Sequence, residues 1–109
     1  MNLTRNEWIR IRTTLRNRDI HHDQVKFLNC VRFSPTESKE HRRKKFEICE
    51  KLYFEDKVPF LTEAWNQQRT TRLDILDLIG DIDYEIETDL KRKKSYEGDV
   101  VIEVKRDDQ

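Results

Sequence analysis

The chain has 109 residues, of which 40% are charged and 35% hydrophobic, and its 22 basic and 22 acidic side chains cancel to a formal net charge of zero. That length suits one small domain with a thin core and excludes two. Balanced charge leaves any nucleic-acid binding to local patches, no apolar run approaches membrane-spanning length, and no secretory leader is read at Met1, so a cytoplasmic protein is expected. The apolar residues are clustered and periodic, which argues against disorder. Dimerisation would let so small a core bury more surface. Cys30 and Cys49 lack a C-x-x-C partner or matching His spacing, so zinc is not expected. In a reducing compartment they read as small buried side chains.

Thr4 to Glu7 spells T-x-x-E, a capping box that should open a helix running to about Asn17. Trp8, Ile11 and Leu15 share one face of it. His21-His22 reads as surface, because adjacent histidines point in different directions. Gln24 to Phe33 is apolar enough for a short helix or a strand, and its periodicity does not choose. Ser34-Pro35-Thr36-Glu37 has the form of a helix start, with Ser34 as N-cap, Pro35 in the first turn and Glu37 as the reciprocal acid. The helix expected from there runs to about Glu55, burying Phe46, Cys49, Leu52 and Tyr53, with His41 and Lys45 beside that stripe. Residues 1–33 are then an N-terminal helical extension and 34–104 the core.

Three short strands follow, in L-T-E-A-W, R-L-D-I-L-D-L and D-Y-E-I-E, where polar and apolar residues roughly alternate. If the chain turns about Gln68–Arg69 and again about Ile79–Gly80, Glu63 lies opposite Asp74, and Asp74 opposite Glu85. Glu87 then follows on the face of Glu85. Like charges directly opposed are destabilising. Such a row needs either basic neighbours, as Arg72 would be, or a hard cation such as magnesium or manganese. Thr88 to Tyr96 reads as a short amphipathic helix or a basic loop, and Gly98 breaks the chain. Val100 to Val104 reads as a strand buried inside a sheet and reached by a crossover. Residues 105–109 form a polar tail.

This order of helix, three-stranded antiparallel meander, crossover and strand implies an α/β (α+β) domain. Together with Asp74 in R-L-D-I-L and Glu85-Ile86-Glu87 in Y-E-I-E-T, it resembles the PD-(D/E)XK superfamily of restriction-endonuclease-like nucleases. The segment from His41 through Lys45 to Glu63 is similar to small RecB-like or nuclease-like proteins of archaeal viruses and plasmids. The resemblance implies a metal-dependent nuclease acting on DNA. It places Mg²⁺ or Mn²⁺ on Asp74, Glu85 and the Ile86 carbonyl, with Glu63 as an added acid of the first strand. The family's E-x-K lysine is replaced here by Glu87, a further ligand or proton acceptor. Lys45, Lys91, Lys93 and Lys94 stand as lysine substitutes. The runs containing Lys44, Lys45, Lys91, Lys93 and Lys94 would grip backbone phosphates. If no lysine reaches the site, the resemblance implies a nucleic-acid-binding or regulatory protein that does not cut. Apart from it, a protein-interaction module with a charged surface is the remaining reading.

Overall fold

A computed structural model describes residues 1–87 and 99–104. Its elements are helix α1 (Arg5–Asn17), a 3₁₀ turn (His22–Phe27), helix α2 (Lys39–Glu50) continuing into a π-helical turn (Lys51–Glu55), and strands β1 (Phe60–Trp65), β2 (Arg72–Asp77), β3 (Ile82–Glu87) and β4 (Val100–Glu103). The strands form one mixed sheet in the order β1-β2-β3-β4. The first three make an antiparallel meander and β4 runs parallel to β3. The fold class is α+β. No helix among the described residues is long and apolar enough to cross a membrane.

Helix α1 starts as its capping box requires. Thr4 Oγ1 accepts from the Glu7 amide at 3.1 Å, and the Glu7 carboxylate accepts from the Thr4 amide at 2.9 Å. This helix is more than an extension of the core. Ile11 and Leu15 bury against Leu61, Ala64, Leu73 and Leu76 of the sheet and Leu78 just after it, and Val25, Phe27 and Leu28 pack on the same cluster. The buried Thr14 hydroxyl donates to the Leu78 carbonyl at 3.0 Å. The opposite face packs on α2 and the π turn through Cys49, Leu52, Phe60, Ile75 and Ile86. The apolar periodicity that sets α1 apart along the chain is thus what the sheet needs to close its second face.

Helix α2 begins later than its sequence suggests. The Ser34 amide does donate to the Glu37 carboxylate, at 2.9 Å, but Ser34 to Glu37 makes only a turn. Ser38 is the N-cap, its hydroxyl accepting from the His41 amide at 3.1 Å. Both serines are good caps, and the second wins because Glu37 is drawn into the core (below). Phe46, expected inside, is 54% exposed, while Lys45 and Cys49 take the inward positions. Tyr53 packs against the buried cluster from its margin. The undecided segment after α1 is the 3₁₀ turn followed by irregular chain beside β1. Asn29 donates to the Phe60 carbonyl at 2.9 Å, and the Thr62 hydroxyl donates to the Cys30 carbonyl at 2.7 Å. Cys30 is exposed rather than buried. His21 and His22 are exposed, as expected.

Strand β4 is an edge, not an interior strand: Val100 and Val101 are each 36% exposed. Val104 after it packs on the α2-side cluster, and Asp99 before it makes polar ties. Asp99 Oδ2 accepts from the Asp83 amide at 3.0 Å and from Arg18 at 2.9 Å, and Arg18 also holds Asp81 at 2.7 Å. The basic segment 88–96 with Lys91, Lys93 and Lys94, Gly98, and the tail 105–109 lie outside the described residues.

Candidate active site

Both hairpin registers are those the turns imply. Thr62 pairs with Ile75 and Ala64 with Leu73, which in the same frame sets Glu63 across from Asp74. Ile75 pairs with Tyr84 and Leu76 with Asp83, which sets Asp74 across from Glu85. Strict alternation fails at this level, however. Leu61 and Ala64 both face α1, as do Leu73 and Leu76, although residues three apart in a regular strand face opposite ways. The break falls at Glu63, whose φ of 51° is left-handed. Such a conformation costs a non-glycine residue about 1–2 kcal/mol. It lets neighbouring residues serve the same face: Ile75 joins the α2 cluster, while Asp74 comes within 3.8 Å of His41 Nε2 on α2.

The kink divides the row of acids into two groups. Glu63 belongs to the first. Its Oε1 accepts from Lys45 Nζ at 2.5 Å, and its Oε2 meets Arg72 at 3.0 Å. Lys45, 0% exposed, also donates to Glu37 Oε1 at 2.5 Å and to the Arg32 carbonyl at 3.0 Å. All three ammonium protons are therefore used. The expectation that Lys45 grips phosphate from the surface is corrected accordingly: a charge this deeply buried must be paired, and Glu37 and Glu63 pair it. Burial raises the pKa of Glu63, and the neighbouring Glu37 carboxylate adds to the rise against the pull of Lys45 and Arg72. Burial also opposes ionisation of Glu37, but its contacts with Glu63, Lys45 and the Ser34 amide outweigh that and hold it below its usual value.

Asp74, Glu85 and Asp83 form the second group. Asp74 is buried, and its Oδ2 accepts from the Ile86 amide at 2.8 Å. A side chain thus takes the ladder position of a strand carbonyl where the regular β2–β3 pairing ends at Ile75–Tyr84. A strand residue's N–H and C=O open toward one edge, so the Ile86 carbonyl turns toward Asp74 as well. Glu85 neighbours both Asp74 and Asp83. Burial first, then the charge of Asp74 and the contacts with Asp83, push its pKa up to about 9. Asp83 is 1% exposed, and neither of its carboxylate oxygens has a hydrogen-bond partner. Burial raises its pKa too, against the contact with Glu85 and the charge of Arg18.

Arg72 joins the two groups, with one guanidinium nitrogen on Glu63 and the other 3.9 Å from Asp74. His41 Nε2 is buried without a hydrogen-bond partner. Burial lowers the pKa of this imidazole, although the charges of Asp74 and Glu37 work the other way. Glu87 follows on β3, in register with Glu103. Lys44 lies at the surface, paired with Glu47 at 3.2 Å.

Asp83, Glu37 and Arg32 carry no site role in the sequence reading. Asp83 was within reach of it, because residues i and i+2 of a strand share a face and Asp83 stands two before Glu85. Glu37 reads as a capping acid, and nothing local foretells its second partner. No three His, Cys, Asp or Glu side chains among the described residues are gathered into a ready-made metal cage. The residues present do suit a cation in another way. Three carboxyl groups adjoin, Asp74 and Asp83 buried and Glu85 half-buried; both oxygens of Asp83 are unpartnered, and burial with the charge of Asp74 pushes the pKa of Glu85 up to about 9. An added positive charge would relieve that crowding.

No family model matches this chain, and neither the curated proteins nor the solved structures contain a match to it.

Proposed function

We propose that the chain is a metal-dependent nuclease of the restriction-endonuclease-like class, cleaving phosphodiester bonds in DNA. The observation that carries this reading is the Asp74–Glu85 pair, set across from one another at the end of the β2–β3 ladder, where burial and the charge of Asp74 raise the pKa of Glu85. The order of α2, meander and parallel β4 supports it. Asp74, Glu85 and the Ile86 carbonyl would hold Mg²⁺ or Mn²⁺, which when bound supplies a water of lowered pKa and positive charge for the phosphate.

The chain's own residues have distinct parts in this scheme. The Ile86 amide fixes the Asp74 carboxylate in place. Arg72, with a third of its side chain exposed, presents a guanidinium to the substrate phosphate beside Asp74. Lys45 acts through Glu63, holding that carboxylate and thereby Arg72. Glu87, where the family's lysine would stand, accepts a proton or adds a ligand. The test is cleavage of plasmid and oligonucleotide DNA with Mg²⁺ or Mn²⁺. Asp74→Asn and Glu85→Gln should abolish it, and equal cutting by these variants would end the proposal.

The second reading is a domain that binds nucleic acid without cutting it. Glu87 in the lysine position and the full engagement of Lys45 favour it. Calorimetry that detects no divalent-ion binding would select this reading over the first.

A further inference from the structure

An open cleft of about 740 Å³ lies between the 27–35 segment and the β1–β2 hairpin. Its walls carry three aromatic rings and three guanidinium groups: Phe27, Phe33 and Trp65, with Arg32, Arg69 and Arg72. These are interleaved rather than segregated. Arg69 and Arg72 lie 5.1 and 5.9 Å from the centre of the Trp65 ring, and Arg32 lies 4.0 Å from that of Phe27. Two acids, Glu63 and Asp23, also reach the cleft, against its three guanidinium groups. Glu63 is held by the buried Lys45 as well as by Arg72, and Asp23 lies beside His21 at 2.9 Å. The balance left for a ligand is cationic and aromatic.

That combination selects a ligand carrying both negative charge and flat, exposed π-faces. We propose that the cleft binds an unpaired stretch of nucleic acid, with a base stacked on Trp65 and the flanking phosphates on Arg69 and Arg72. A duplex does not fit this chemistry, because the faces of its bases are spent on each other, whereas unpaired bases are free to stack on aromatic side chains. Arg69, at the exposed hairpin tip, yields its place over the ring to the base and moves to the backbone. Arg72 is shared with the carboxylate site, since its second nitrogen faces Asp74. A strand lying in the cleft therefore runs toward Asp74 and Glu85. In this respect the inference rests on the nuclease reading and narrows its substrate to single strands.

The test is binding in EDTA, where no cleavage intervenes, using labelled oligo(dT), oligo(rU) and a duplex of the same length at one salt concentration. The single strands should bind about tenfold tighter than the duplex, and Trp65→Ala should weaken that binding about tenfold or more, the loss expected for one base–aromatic stack. Arg69→Glu, at the exposed tip of the hairpin, should weaken it as well. The chain has two tryptophans, so in a Trp8→Phe variant quenching on binding reports Trp65 alone. A preference between oligo(dT) and oligo(rU) identifies the sugar, and either supports the cleft. Duplex binding as tight as single-strand binding, no binding of either, or unaltered affinity in both variants would overturn it. The outcomes separate the two readings. Trp65-dependent binding without any divalent-ion cleavage removes the nuclease and keeps the cleft. Cleavage that ignores Trp65→Ala does the reverse.

Discussion

The Ile86 amide donates its hydrogen bond to the carboxylate of Asp74, at 2.8 Å, across the two strands where their regular pairing has ended. One acidic side chain thereby both completes the sheet and stands beside Glu85. Stability and function are coupled at this residue, and substitutions can separate them.

Replacing Asp74 with alanine leaves a buried amide without an acceptor, at a cost of about 1–3 kcal/mol. Asp74→Asn retains a carbonyl oxygen for Ile86 and should cost less. It also removes the charge that helps hold the Glu85 proton. Urea unfolding of the two variants should rank them in that order, and an NMR titration should find the Glu85 pKa lowered in Asp74→Asn.

Glu85 should make the protein less stable as pH rises. Its carboxyl keeps its proton in the folded chain up to about pH 9, while the unfolded chain releases it near 4.5. Between those values the folded state binds more protons, so stability declines across that range. Glu37 and His41 act in the opposite sense. Both are held below their usual values, so as the pH falls the favourable contacts of ionised Glu37 are lost and the burial of His41 opposes its protonation, each lowering stability. Thermal melts from pH 5 to 9 should show the Glu85 slope reduced in Glu85→Gln. A saturating divalent ion that binds the pair should reduce it too.

Lys45→Met should be among the most damaging single changes in the protein. It leaves Glu37 and Glu63 facing one another without their shared cation, a loss of about 3–5 kcal/mol by analogy with broken buried pairs. Adding Glu63→Gln should recover part of it by removing one of the stranded charges. If Lys45→Met instead melts like the parent, the buried ammonium is not what holds α2 against the sheet.

The two cysteines should differ sharply toward an alkylating reagent. Cys30 is exposed. The Cys49 thiol is buried, and that burial pushes its pKa up to about 12, which keeps the reactive thiolate scarce. Mass spectrometry should find one adduct on the folded protein and two after denaturation.

Much of the strand geometry was legible before any coordinates. The turn residues between the strands and the eleven-residue spacing of Glu63, Asp74 and Glu85 place both hairpins in the registers observed, and T-x-x-E at Thr4 marks the start of α1. These features arise within a few residues of chain, from turn geometry, side-chain alternation and the orphan amides of a helix end. The choice between Ser34 and Ser38 as the start of α2 is less local, because Glu37 can serve the turn and the core at once.

Only the tertiary structure decided which acids are neutralised and which are left crowded. The left-handed backbone at Glu63 shifts the faces of two strands together, and α2 then delivers Lys45 to Glu63 and Glu37 rather than to Asp74. Asp83 and Glu85 remain with Asp74 on the far side of that division. A carboxylate's state depends on burial and on charges within a few ångströms. In this molecule those charges come from residues distant in the chain, so spacing alone could place the acids in a row but could not say which of them would be short of a cation.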